Sequence, residues 1–288
     1  MTHLQTLDSF QPGHDFFTGI DSDGCVFDSM EVKQKEFFIP LALKHFSLFP
    51  ISGILRKTWE HVNLYSITRG SNRFFSLIKV FDILSRNQEV IRSGVKLPDT
   101  SSLHEWVRSE NKLGNESLRR YYELHPDAEL ERILLWSEDL NREINQWLRN
   151  VPPFPHVREA LGIISSKADI FVVSQTPADA LEREWKEHDL QKYVKGIAGL
   201  EHGTKAQQLA VAAGGRYEPD KILMIGDAKG DLDAALKSKI LFFPVIPGKE
   251  DESWLRLIDE GFEIFTKGTF TGAYQEILIK KFLEALRD

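Results

Sequence analysis

The feature that most constrains this chain is a single apolar strand placed far ahead of any partner. Asp15–Ile20 reads as a short strand that stops at Asp21. A strand alone leaves its backbone donors and acceptors unpaired, so it must join a sheet assembled from later segments. The next stretch offers none. From Glu31 to Asn150 the pattern is helical, most plainly over Ala128–Arg149, where Leu130, Ile133, Leu134, Leu140, Ile144, Trp147 and Leu148 recur at three- and four-residue spacing. Further helices are expected near Val32–His45, Phe74–Leu84 and Leu103–Ser109, with loops at Pro50–Gly53 and Lys96–Ser101.

Val151-Pro152-Pro153-Phe154-Pro155 is a segment no helix can cross. Beyond it the pattern changes to buried-type strands, Asp169–Val173, Lys221–Ile225 and Leu241–Val245, alternating with helices such as Asp179–Asp189 and Lys205–Ala213. Short apolar runs alternating with helices imply a parallel sheet covered on both faces. Thr176-Pro177-Ala178-Asp179 reads as a helix start with a capping threonine. The expectation is therefore a Rossmann-like α/β core built from residues 1–30 and 152–288, with an inserted all-helical domain over 31–151. The simpler alternative is two sequential domains, helical then α/β.

Composition narrows the class. At 288 residues, 42% apolar and 27% charged, the chain suits roughly two globular domains and is too rich in apolar residues for wholesale disorder. A net charge of −7 gives no general attraction for nucleic acid or anionic lipid, so neither partner is expected. The longest apolar run, Ile240–Pro247, falls far short of the roughly 20 residues of a spanning helix, and no secretory signal is visible. Cys25 is the only cysteine, which excludes internal disulfides and thiolate zinc sites. The expected setting is cytoplasmic.

Parallel sheets bind ligands beyond the carboxyl ends of their strands. The residues that follow each strand are Asp21 and Asp23, then Ser174, then Asp227, while Lys205 opens a helix whose capping box is Thr204 and Gln207. Several acids, one lysine and one hydroxyl make an inventory for magnesium plus phosphate. Magnesium takes hard oxygen ligands, and a phosphoryl group takes a cation and hydrogen-bond donors.

Four motifs in this order resemble the haloacid dehalogenase superfamily. They are Asp21-Ser22-Asp23-Gly24-Cys25-Val26-Phe27-Asp28-Ser29, then Val172-Val173-Ser174-Gln175, then Lys205, then Ile225-Gly226-Asp227 with Asp231. The resemblance covers about residues 12–30 and 152–288. It implies a Mg2+-dependent phosphatase in which Asp21 is the nucleophile and forms an aspartyl-phosphate. Asp23 would be the general acid and base. The metal would be held by Asp21, the Asp23 carbonyl, Asp227 and Asp231, and Ser174 and Lys205 would bind the phosphoryl oxygens. It also implies that the helical insertion is a cap. Dehalogenases of the superfamily lack the acid at the Asp23 position, and ion-pumping ATPases carry threonine there, so an aspartate points to a phosphatase or phosphomutase. The chain departs from the usual pattern at Cys25, where threonine or valine is common, and at Gln175, where asparagine is common.

Each reading has a plainer competitor. Asp21 and Asp23 could be turn residues, Asp227 and Asp231 helix-start acids, Lys205 a solvated lysine and Ser174 an ordinary strand-ending hydroxyl. In the insertion, Thr68-Arg69-Gly70-Ser71-Asn72-Arg73 places two arginines around a glycine, so Arg69 or Arg73 could clamp a substrate carboxylate or phosphate, or the stretch could be a solvated loop. Cys25 reads as a small buried residue and not a nucleophile. The expected substrate is a small phosphorylated metabolite. A phosphomutase of the β-phosphoglucomutase type and a non-catalytic regulatory protein of the same fold stay open, and the sequence does not indicate an oligomeric state.

Overall fold

The computed structural model describes residues 9–286. They fall into two compact units. One comprises the residues up to Met30 with those from Arg149 onward, and the other comprises Glu31–Leu148.

In the first unit the early strand finds its partners. Strands β1 (Phe16–Ile20), β2 (Ala168–Val173), β3 (Gly196–Ala198), β4 (Ile222–Gly226) and β5 (Leu241–Pro244) form one parallel sheet in the order β3-β2-β1-β4-β5. β1 thus lies at the centre. Ile20 is level with Val172 of β2 and Ile225 of β4, so the three strands end at the same height. Strand β3 escapes the sequence patterns because three residues are too few to show a period. It is defined instead by its pairing with Phe171, Val172 and Val173.

Both faces of the sheet are buried, which is why its strands read as unbroken apolar runs. Ile170, Val172, Leu223 and Ile225 pack on one side with Val157, Leu161, Leu181 and Trp185 of the helices Val157–Ile164 and Ala178–Glu187. Phe17, Phe171, Val173 and Met224 pack on the other with Leu209 and Ala212 of Lys205–Ala212 and with Leu232 and Ala235 of Lys229–Ser238. The alternation along β2 and β4 is the two-residue period of a strand.

The second unit is helical throughout and has its own apolar cluster. Trp136 meets Trp59 and Phe38 at ring-centroid distances of 6.0 and 5.9 Å, and Phe74 meets Trp106 at 4.9 Å. The long helix runs Ala128–Trp147. The expected loop at Pro50–Gly53 is instead a 3-10 turn, Phe49–Ile51, leading into a helix, Ser52–Glu60. Proline is tolerated in a first turn because its missing N–H has no partner to lose there. The expected helix Val32–His45 is broken in type: a π-helical stretch, Lys33–Phe38, precedes the α-helix Ile39–His45, whose first turn holds Pro40. The wider turn accommodates a residue that cannot donate into the ladder. Among the described residues no helix is long and apolar enough to cross a membrane.

Phe171 is fully buried in β2, with its ring 4.8 Å from that of Phe10 and 5.8 Å from that of Phe17. Replacing it with alanine should cost about 3–5 kcal/mol. Urea unfolding followed by circular dichroism measures this, and a loss under about 1 kcal/mol would contradict the packing described.

Candidate active site

Three strand ends and two helix starts build the site. Past β1, the amide of Asp21 still donates to the Ile225 carbonyl at 3.0 Å, so the sheet ladder carries Asp21 one residue beyond the strand. The chain then folds into a tight loop. The Ser22 carbonyl accepts from the amides of Cys25, Val26 and Phe27 at 3.3, 2.9 and 3.1 Å. Gly24 turns at φ 78°, a left-handed conformation that costs glycine little. Two indoles pin this loop from different helices. Trp185 donates to Ser22 Oγ and Trp254 to the Cys25 carbonyl, both at 3.0 Å. The Cys25 thiol is buried, and burial, reinforced by the carboxylates of Asp227, Asp21 and Asp231, pushes it well above its ordinary range. It is a packing residue.

Asp21, Asp227 and Asp231 come together: each offers a carboxylate oxygen, and the three oxygens lie within 4.8 Å of one another. Asp227 follows β4, and Asp231 sits in the first turn of Lys229–Ser238, where its Oδ2 accepts the Ala228 amide at 3.0 Å. Gly226 allows that approach, since a Cβ there would lie 2.4 Å from Asp231 Cγ. Lys205, capped into its helix by the Thr204–Gln207 box, reaches Asp21 Oδ2 at 2.7 Å and Asp231 Oδ1 at 2.5 Å.

Burial is the largest influence on Asp21, and Lys205 opposes it while Asp231 and Asp227 add repulsion. The result is a carboxyl raised from 3.8 to about 8. Burial works against the Lys205 charge too, but the carboxylates of Asp21 and Asp231 outweigh it and hold the ammonium protonated. Three buried carboxylates against one ammonium leave an excess of two negative charges. Three hard oxygen donors and that excess fit a divalent cation of the magnesium type, held by Asp21, Asp227 and Asp231.

Asp23 stands apart from the three. Its Oδ1 accepts the Ser29 hydroxyl, and its Oδ2 accepts the Thr176 hydroxyl at 2.6 Å. Thr176 is therefore no helix cap. Pro177 holds the cap position of Ala178–Glu187 with no side-chain cap bond, and the Ala178 amide turns to Glu201 Oε2 at 3.1 Å. Ser174 extends β2, its amide bonded to the Ala198 carbonyl at 3.0 Å. Behind it the buried Gln208 carboxamide donates to the carbonyls of Ser174, Gly199 and Gly203 at 3.0, 2.8 and 3.1 Å. Gln208, Thr176 and Ser29 carry no local sequence signal for these roles, because each depends on a partner distant in the chain or on a turn shape.

Arg69 and Arg73 are engaged within the helical unit. Arg69 is buried and its Nη1 donates to the Leu64 carbonyl at 2.9 Å. Arg73 ties the Ser137 carbonyl, the Ser137 hydroxyl and Asn141 Oδ1 at 3.2, 3.1 and 2.8 Å, lies 5.7 Å from the Phe38 ring centre, and is lowered to about 10 by burial. A guanidinium with three partners in its own unit acts as a structural tie. The solvated-loop alternative is not what the structure shows for it either.

Residues 83–245, more than half of the chain, match the family described as haloacid dehalogenase-like hydrolase. The chain belongs to this family. The match takes in Ser174, Lys205, Asp227 and Asp231; Asp21 and Asp23 lie upstream of it, and Asp21 joins Asp227, Asp231 and Lys205 only in the fold. Among solved structures, a haloacid dehalogenase-like hydrolase from Streptococcus pneumoniae is 15% identical, with 88% of this chain and 97% of that one covered at a TM-score of 0.46. A protein described as a predicted phosphoglycolate phosphatase from Haemophilus somnus is 14% identical, covering 81% and 86% at 0.46. A protein named as a HAD-type hydrolase, YfnB of Bacillus subtilis, bound to magnesium, is 12% identical, covering 79% and 85% at 0.46. No curated protein sequence matches this haloacid dehalogenase-like chain.

The raised Asp21 carboxyl gives the hydrolase a definite pH behaviour. Without a cation the folded protein keeps a proton on Asp21 up to about 8, whereas the unfolded chain releases it near 3.8. The stabilisation from that proton is complete below the unfolded value and is lost as pH climbs through about 8. In EDTA the thermal midpoint should therefore carry a falling component between pH 5 and pH 8.5 that Asp21→Asn removes. Excess magnesium chloride should raise the midpoint at pH 8 by roughly 5 °C, and by less at pH 5, where proton and cation compete. No magnesium response at pH 8 would rule out the cation site.

Proposed function

We propose that this hydrolase is a magnesium-dependent phosphatase that cleaves a small phosphorylated metabolite through an aspartyl-phosphate on Asp21. The observation that carries the reading is the convergence of Asp21, Asp227, Asp231 and Lys205 at one end of the sheet, with a second acid, Asp23, two residues from the nucleophile. Phosphoryl transfer is chiefly a matter of positioning and charge compensation, and this cluster supplies both. Magnesium, when bound by Asp21, Asp227, Asp231 and the Asp23 carbonyl, would supply the positive charge that lets an anionic nucleophile meet an anionic phosphate.

The chain's own groups divide the work. Asp21 attacks phosphorus with a carboxylate oxygen, forming the new O–P bond. As the ester P–O bond breaks, its electron pair goes to the leaving oxygen, which takes a proton from the Asp23 carboxyl. Asp23, now a carboxylate, then accepts a proton from the water that attacks the phosphoryl group, and phosphate departs with the Asp21 carboxylate restored. Lys205 and the Ser174 hydroxyl hold the phosphoryl oxygens throughout. The helical unit is read as the cap of such an enzyme, from its place in the chain between the first two motifs. Neither a nucleic acid nor a membrane is proposed as a partner. A non-catalytic role fits less well, because every acid the chemistry needs is present.

The test is phosphate release from a panel of phosphorylated metabolites with magnesium. Wild-type protein should turn over at least one of them, and Asp21→Asn should lose activity on the order of 10³-fold or more. Isomerised sugar phosphate without free phosphate would replace the reading with a phosphomutase. No metal-dependent turnover of any ester, or full activity in Asp21→Asn, would overturn it.

A further inference from the structure

Thr176 has an unusual placement for a residue just ahead of a helix. A threonine there ordinarily turns its hydroxyl to the first helical amides. Here the Ala178 amide is taken by Glu201, and the Thr176 hydroxyl is directed 2.6 Å onto Asp23 Oδ2, 153 residues away in the chain. Thr176 is itself held in place. Its amide donates to Ser174 Oγ at 3.2 Å, and its carbonyl accepts the Leu200 amide at 3.1 Å. The other Asp23 oxygen receives Ser29, from the first turn after the nucleophile loop. Two hydroxyls from separate parts of the fold thus fix both carboxylate oxygens, and with them the plane of the group.

We propose that Thr176 is the positioning residue for Asp23, holding its carboxyl in place for proton transfer to the leaving oxygen of a phosphate monoester. The inference rests on the phosphatase reading above. An alkoxide cannot leave at neutral pH unless a proton reaches the bridging oxygen as the P–O bond breaks, so the donor must be held in line with that oxygen. A nitrophenolate carries its own negative charge away and makes no such demand. A hydroxyl suits the task because it both donates and accepts. A methyl group in its place would offer Asp23 neither.

The experiment compares kcat and kcat/KM for an aliphatic phosphate monoester and for 4-nitrophenyl phosphate, with magnesium, in wild type, Thr176→Val and Thr176→Ser. The ratio of the two kcat/KM values, aliphatic over nitrophenyl, should fall about tenfold in Thr176→Val, because kcat/KM reads the phosphorylation step and not the aspartyl-phosphate hydrolysis that both esters share; the size is set by losing one well-aligned hydrogen bond to the donor. Thr176→Ser should restore the ratio. Circular dichroism and a thermal midpoint establish that each variant is folded. If Thr176→Val does not fold, the ratio in Thr176→Ala against Thr176→Ser carries the same comparison. Equal losses of kcat/KM on both esters, or failure of serine to restore the ratio, overturn the positioning role while leaving the phosphatase reading standing. The aliphatic ester is one that wild-type protein hydrolyses in the metabolite panel above; wild-type protein inactive across that whole panel overturns the phosphatase reading, and this proposal with it.

Discussion

The structure depends on negative charge kept where water cannot screen it. Asp227 and Asp231 have no exposed surface and Asp21 almost none, yet their oxygens crowd within 4.8 Å. Burying even one ionised carboxylate is costly unless it is paired. Lys205 compensates one charge and the Ala228 amide donates to Asp231, but no arrangement of these groups neutralises the rest. In the absence of a cation, the cheapest relief is a proton on Asp21, which is what its raised carboxyl expresses. Such a centre is poised for exchange, because anything that brings two positive charges can displace the proton from Asp21.

The supports around the cluster are rigid for the same reason. A charge cluster relaxes by moving apart unless its backbone is held. Asp21 is anchored by the sheet ladder through Ile225, and the loop after it is fixed by Trp185 and Trp254. Gly226 has no side chain because Asp231 occupies that space. Gln208 gathers three carbonyls that would otherwise leave the Ser174 strand end loosely bound. Each device restrains a backbone segment. Electrostatic catalysis needs this preorganisation, since groups that had to reorient during reaction would lose much of their effect.

Much of the core was legible in the sequence because burial on both faces of a parallel sheet writes itself as continuous apolar runs, as in Asp169–Val173 and Lys221–Ile225. The acids at the strand ends were legible for a related reason: they stand out sharply where such a run stops. The lone first strand implied a central place in the sheet only through the logic of pairing, and β1 has that place. What stayed hidden follows from contacts that ignore sequence distance. Strand β3 is three residues long and exists through its neighbour. Thr176 looked like a cap by spacing alone, but whether a threonine caps its own helix or turns to Asp23 is decided by where β1 and β2 end. The Arg69 and Arg73 stretch likewise gave a residue inventory without telling which way the forks would face, and inside the helical unit they meet carbonyls and an amide.

The separation of the ligands in the chain also links chemistry to folding. Asp21 and Asp227 stand about 200 residues apart in sequence, and only the register of β1 against β4 brings them side by side. An unfolded chain can offer a divalent ion one or two of these oxygens at a time, so an ion that needs all three binds the folded core almost exclusively, and its binding energy becomes folding energy. The helical unit has its own apolar cluster, built without any residue of the sheet. The charge balance at the strand ends is set by Asp21, Asp227, Asp231 and Lys205, all of which belong to the α/β unit, and so is the protonation of Asp21 that follows from it.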